Sequence, residues 1–255
     1  MHVATTGHGP DLVLLHGWGM HGGIFAPLVS ALARRCTLHL VDLPGHGRSA
    51  GSGDVLDFDA TAARLAAALP AAVWLGWSLG GLFALEVARR APARVRALAL
   101  IAATPRFTIG PDWPYAVERS VFEAFAQGLV SDYRGTLERF LALECHGSDC
   151  ARLELRALKQ AVFAHGEPEW SALASGLEIL AQRDLRAVLP ALPQKALWIA
   201  GARDLHVPPG ALEAAAATRP DARYVRIAGG GHAPFIGHPD AVLAELDALL
   251  DEVYG

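Results

Sequence analysis

The stretch Val73-Trp74-Leu75-Gly76-Trp77-Ser78-Leu79-Gly80-Gly81-Leu82-Phe83 constrains this chain more than any other. Ala72 to Leu75 end a short apolar run of strand type. From Leu82 the pattern turns helical, with Leu82, Leu85 and Val87-Ala88 apolar and Glu86, Arg89 and Arg90 polar. Between the two lies Gly-x-Ser-x-Gly. A serine on so sharp a strand-to-helix turn is held in a strained backbone conformation, and the residues two before and two after it must be small for strand and helix to approach. Gly76 and Gly80 meet that need, and Gly81 adds room. The turn sets Ser78 at a helix N-terminus, where free N–H groups favour developing negative charge. In a chain with 26 glycines the five-residue pattern alone arises easily by chance. The strand before it and the helix after it mark it as a nucleophile elbow.

Apolar runs elsewhere alternate with helical stretches. Leu12–Leu15, Thr37–Val41, Val95–Ala102, Ala196–Ala200 and Tyr224–Ile227 read as strands, and 25–33, 56–69, 209–217 and 239–253 as helices. Alternation of this kind predicts βαβ units, a mostly parallel central sheet and helices on both faces, an α/β fold. Ligands in such sheets bind beyond the carboxyl ends of the strands, the edge where the loops after Leu15, Val41 and Leu75 fall. From about Trp113 to Arg186 no buried strand is evident, but helical stretches recur at 116–129, 134–143, 150–165 and 173–181. The expected organisation is a core of 1–112 and 187–255 interrupted by a helical cap of 113–186.

A serine hydroxyl needs a base, usually histidine, oriented by a carboxylate. The chain has 11 histidines, so position decides among them. His232 sits in the glycine-rich loop Gly229-Gly230-Gly231-His232-Ala233-Pro234-Phe235 after the last strand, at the same edge as Ser78. His238 precedes the helix opened by Pro239 and reads as a surface residue, His206 lies near a candidate acid, and His16 shapes the loop after the first strand. Asp204 ends the turn after the Ala196–Ala200 strand and gives the order serine, acid, histidine. Asp42, followed by Pro44-Gly45-His46-Gly47, reads as a structural turn. The oxyanion donors are expected from the backbone N–H groups of Leu79 and Trp18. The predicted chemistry is acyl transfer through Ser78, requiring neither metal nor cofactor.

Composition narrows the partners. A net charge of -4 with 19% charged residues gives no reason to expect nucleic acid or an anionic membrane. No stretch has the apolar length of a membrane span, and Met1 to Asp11 lacks the character of a signal peptide. Three cysteines cannot all pair, Cys36 reads as a buried small hydrophobe, and Cys145-His146 with Cys150 lacks a second ligand pair for zinc. A reducing cytoplasm follows as the expected compartment, with a monomer as the default.

With His16-Gly17-Trp18-Gly19, Asp42-Leu43-Pro44-Gly45-His46-Gly47-Arg48-Ser49, Gly76-Trp77-Ser78-Leu79-Gly80-Gly81 and Gly231-His232-Ala233-Pro234-Phe235, the chain resembles the α/β-hydrolases over nearly its full length. Within them, residues 12–19, 37–45 and 73–81 together with Glu138-Arg139-Phe140-Leu141-Ala142-Leu143-Glu144 are most similar to the carboxylesterases of bacterial biotin synthesis that act on a pimeloyl methyl ester carried by acyl carrier protein. The resemblance implies a triad of Ser78, Asp204 and His232. It also implies substrate contacts by Phe140, Leu141, Ala142, Leu143 and Glu144, facing Trp18 and Leu79. Glu144 departs from the family pattern, which carries Gln there. Carrier proteins are acidic. Arg152, Arg156 and Lys159 share a helix face by their spacing, Arg134 and Arg139 lie on the neighbouring helix, and the five form a candidate docking patch. The interspersed Glu138, Glu144, Asp149 and Glu154 supply the competing reading of a solvated face, against which carrier docking is the expectation. A general short-chain carboxylesterase, a thioesterase and a carbon–carbon bond hydrolase would use the same triad. A non-catalytic receptor on this scaffold would not need base, acid and oxyanion loop together.

Overall fold

The computed structural model describes residues 1–255. Seven strands form one sheet: β1 (His2–Gly7), β2 (Asp11–Leu15), β3 (Thr37–Asp42), β4 (Ala72–Trp77), β5 (Val95–Ile101), β6 (Lys195–Gly201) and β7 (Arg223–Ile227). Their order across the sheet is β1-β3-β2-β4-β5-β6-β7. All neighbouring pairs are parallel except β1, which runs antiparallel to β3 with His2 opposite Asp42 and Gly7 opposite Thr37. The strands read from the sequence begin at Leu12, and β1 adds one before them. β1 is a half-exposed edge strand whose residues, His2-Val3-Ala4-Thr5-Thr6-Gly7, carry no apolar run, so its pairing is set by β3 and not by its own pattern.

The inner strands read as apolar runs because both faces are covered. Every residue of β4 is buried, and β2, β5 and β6 are buried but for an end or one position. Helices α1 (Ala26–Leu32), α2 (Phe58–Ala68), α3 (Leu79–Arg90), α8 (Pro209–Ala216), the short α9 (Pro234–Gly237) and α10 (Pro239–Tyr254) complete the α/β part. Between β5 and β6 the chain makes four helices instead of one crossover: α4 (Arg119–Ser131), α5 (Tyr133–Glu144), α6 (Ala151–Val162) and α7 (Trp170–Gln182). They begin and end within three residues of the helical stretches read from the sequence: α4 starts three residues later, α6 stops three earlier and α7 starts three earlier.

These helices are tied to the loops at the carboxyl edge. The Trp18 indole donates to Leu173 O at 2.8 Å, and the Glu169 N–H donates to Gly45 O at 2.8 Å. Arg183 reaches Asp59 and lies 4.5 Å over the Phe58 ring. Strand order reverses direction at β4, with β2 and β3 on one side and β5 to β7 on the other. A crevice forms at such a switch point, and the turn after β4 opens into it.

Candidate active site

The turn after β4 carries Ser78 at φ 52° and ψ -119°, a positive φ in a residue with a side chain. That conformation is uphill for any L-residue and persists only where the surroundings enforce it. Here the Ser78 N–H donates to Ile101 O at 3.0 Å, and the Gly81 N–H donates to Ser78 O at 2.9 Å. A Cβ on Gly76 would come within 2.6 Å of Gly80 O, and one on Gly80 within 2.2 Å of Leu15 O. Glycine at both positions lets β4, α3 and β2 close on one another around the serine. α3 begins at Leu79, three residues earlier than its apolar period suggests, so Ser78 stands directly before the first helical turn.

Asp204 and His232 arrive from the turns after β6 and β7. Asp204 Oδ1 accepts the N–H groups of His206 and Val207 at 2.8 and 3.0 Å, which leaves Oδ2 to accept from His232 Nδ1 at 2.8 Å. His232 Nε2 then stands 2.9 Å from Ser78 Oγ, positioned to accept its proton. All three side chains are buried. Burial alone would lower the His232 pKa, but the charge and hydrogen bond of Asp204 outweigh it and raise the value. The imidazolium that would form on accepting a proton is thus stabilised where it is needed.

Of the remaining residues expected at the site, several converge and others do not. The Trp18 backbone N–H has no acceptor within the protein, and Leu79 opens α3, where a backbone N–H has no intrahelical partner. The Trp18 ring packs edge-on to Phe140 at 4.5 Å between centroids. Phe140 lines a mostly apolar chamber above Ser78 with Phe107, Phe122, Phe125, Leu177 and Leu180. Leu141 is buried and Glu144 reaches His232, but Ala142 and Leu143 lie on the exposed side of α5. A helix that turns one face to the chamber must turn intervening positions away.

Nothing in the sequence pattern singled out Phe107, Phe122, Phe125, Leu177 or Leu180 as chamber residues. Phe122, Phe125, Leu177 and Leu180 read only as apolar positions of helical stretches, and Phe107 falls between β5 and α4, outside any helix. His206 also belongs to the chamber. Its ring packs against His232 and Phe140 at 5.3 and 5.6 Å, and burial lowers its pKa to about 4, leaving it neutral and apart from Ser78 Oγ. His16 accepts the Leu43 N–H at 3.0 Å, and Asp42 accepts the Gly22 and Arg48 N–H groups, so both shape loops. His238 is not a free surface residue. It pairs with Asp149 at 3.0 Å beside Cys150, a grouping that separate stretches of sequence did not suggest. All three cysteines are free thiols.

The arrangement is competent for acyl transfer: a nucleophile with its base, an oriented carboxylate, free backbone donors and an apolar chamber for an acyl chain. The family profile of the alpha/beta hydrolase fold matches residues 10–239. The chain belongs to the α/β-hydrolases. A pimeloyl-[acyl-carrier protein] methyl ester esterase of Xanthomonas campestris pv. campestris (strain B100) is 58% identical over 246 residues, 96% of this chain and 97% of that protein. A protein of the same description from Xanthomonas oryzae pv. oryzae (strain MAFF 311018) is 56% identical over 253 residues, 99% of this chain and 100% of that one. Among solved structures, an esterase from Exiguobacterium antarcticum superposes with a TM-score of 0.87, covering 98% of this chain and 95% of its own. At 22% identity it speaks to the fold.

Proposed function

We propose that this hydrolase is a serine carboxylesterase that removes the methyl group from a pimeloyl methyl ester held on acyl carrier protein, releasing the carboxylate for biotin synthesis. The observation that carries the chemistry is the Ser78–His232–Asp204 relay at 2.9 and 2.8 Å beneath an apolar chamber. The substrate rests on the full-length relatives that bear that description. His232 takes the Ser78 proton as Oγ attacks the ester carbonyl. The Trp18 and Leu79 N–H groups receive the oxyanion, and His232 protonates the leaving methanol. Water, activated by the same imidazole, then cleaves the acyl-enzyme, and no metal or cofactor takes part. In this reading residues 113–186 form the cap, with 1–112 and 187–255 the catalytic core.

The carrier is the proposed partner, and the cap charges bear on where it docks. Arg134 is paired with Glu167, Arg139 with Asp132, and Lys159 with Glu138. Arg152 and Arg156, exposed on α6, take part in none of the ion pairs, so they carry the docking proposal. The chain has no helix long and apolar enough to cross a membrane.

The test compares pimeloyl methyl ester on its carrier with a panel of free short-chain esters, thioesters included, using the wild type and Ser78→Ala. Hydrolysis of the carrier-bound ester ahead of the free esters, lost in S78A, is the expected result. Free esters preferred by several orders of magnitude would make the protein a general esterase.

A further inference from the structure

Glu144 is the last residue of α5 and is 1% exposed, yet neither of its carboxyl oxygens has a hydrogen-bond partner in the protein. An orphaned buried carboxyl costs stability, and groups of this kind persist where a site uses them. Its position is fixed by its own backbone, because Glu144 O accepts the His232 N–H at 3.2 Å. That bond sets the carboxyl beside the imidazole, with Oε1 3.9 Å from His232 Nε2. This is too long for a direct bond and short enough for one oxygen atom to touch both groups at about 2.8 Å each.

From this geometry, and resting on the esterase reading above, we infer that Glu144 positions the hydrolytic water of the deacylation step against His232. In the acyl-enzyme Ser78 Oγ is esterified and no longer donates to Nε2. A water placed between Nε2 and Glu144 Oε1 gives one proton to Nε2, while its second hydrogen bonds to the carboxyl. The water oxygen forms the new bond to the acyl carbon, the bond from that carbon to Oγ breaks, and the proton on Nε2 passes to Oγ. Acid and free serine result, and Glu144 gains and loses nothing.

The state of the carboxyl suits the task. Burial raises the Glu144 pKa to about 8, so near neutrality it is uncharged and does not lock the proton onto His232 as a fixed anion would. Asp204 sits across the ring on Nδ1, and His206 is held neutral by burial. Glu154, the other buried carboxyl nearby, has one oxygen engaged by Ser148 Oγ at 2.8 Å. Glu144 is therefore the carboxyl left with both oxygens free at Nε2.

The role separates deacylation from acylation. With p-nitrophenyl butyrate, Glu144→Leu should lower kcat about tenfold to a hundredfold and KM in proportion, with kcat/KM kept within a few-fold. A burst of p-nitrophenol equal to the enzyme concentration should appear, and mass spectrometry should find butyrate on Ser78. E144Q, whose amide can still bond a water, should lose less. In Glu144→Ala, added formate should restore turnover, a rescue that a packing role would not give and that remains readable if E144L fails to fold. An E144L enzyme without a burst, or with kcat and kcat/KM falling together, overturns the inference, as does a folded E144A that formate leaves unchanged. If the wild type turns over no ester, the esterase reading fails instead.

Discussion

At the scale of single residues, the site is a set of ionisable groups whose environments push them apart. His232 must be neutral to accept the Ser78 proton, and its pKa is raised, so kcat/KM should fall as pH drops through a midpoint above 6.5. Asp204→Asn should move that midpoint down and cut the rate by about a thousandfold or more, because the imidazole loses the partner that orients it. A pH–rate profile of the two proteins decides it. Glu144 gives a stability prediction of opposite character. Its carboxyl ionises near 4.5 in the unfolded chain and near 8 in the folded one, because burial disfavours the anion. Folding keeps a proton that the unfolded chain releases across this window, so the full contribution present below pH 4.5 is lost progressively as pH rises toward 8. At about 1.4 kcal/mol per pKa unit the loss approaches roughly 5 kcal/mol. E144Q has no proton to keep. Its Tm advantage over the wild type should therefore be small at pH 5 and larger at pH 8, and an advantage that does not grow with pH would contradict the buried-acid assignment.

At the scale of elements, what could be read from the sequence follows from what each element must satisfy locally. β4, α3 and the elbow between them are dictated by nearby residues: an apolar run, two glycines that prevent collisions with Gly80 O and Leu15 O, and a helical period. The Ser78, Asp204 and His232 positions were legible because each follows a strand, and strand ends share one edge of a parallel sheet. β1 was not, since an edge strand of mixed polarity takes its structure from its neighbour. Nor were the chamber walls, because which face of α4 or α7 turns toward Ser78 depends on how the helices pack and not on their period. Charge is legible only as sequence, and the structure redistributes it. Five basic residues looked equivalent, but Arg134, Arg139 and Lys159 are engaged by Glu167, Asp132 and Glu138. Exposed pairs of this sort contribute little stability, yet they cancel the field a partner would meet. Reversing Arg152 and Arg156 to Glu should therefore raise KM for the carrier-bound ester about tenfold and leave a small free ester unaffected. Reversing Arg134 should do less. Equal effects on both substrates would remove α6 from the docking surface.

At the scale of the whole molecule, the two parts divide the work. The sheet and its edge loops supply the relay, while the four helices between β5 and β6 supply most of the apolar wall above it. Phe122 and Phe125 come from α4, Phe140 from α5, Leu177 and Leu180 from α7. Chemistry and chain length should then be separable by mutation. Leu177 is 2% exposed and faces the chamber from α7, with Trp18 and Leu79 packed near Gly176 one residue before it. A larger ring at Leu177 would fill space that the distal methylenes of an acyl chain need, without touching Ser78, Asp204 or His232. Each methylene denied burial costs about 0.8 kcal/mol, so excluding two or three reduces binding of the transition state roughly tenfold or more. Leu177→Trp should therefore lower kcat/KM for p-nitrophenyl hexanoate at least tenfold relative to p-nitrophenyl acetate, with the acetate rate nearly unchanged. A uniform loss across acetate, butyrate and hexanoate would mean that the substitution disturbs the relay itself. No change in the series would mean that the acyl chain leaves the relay by another wall.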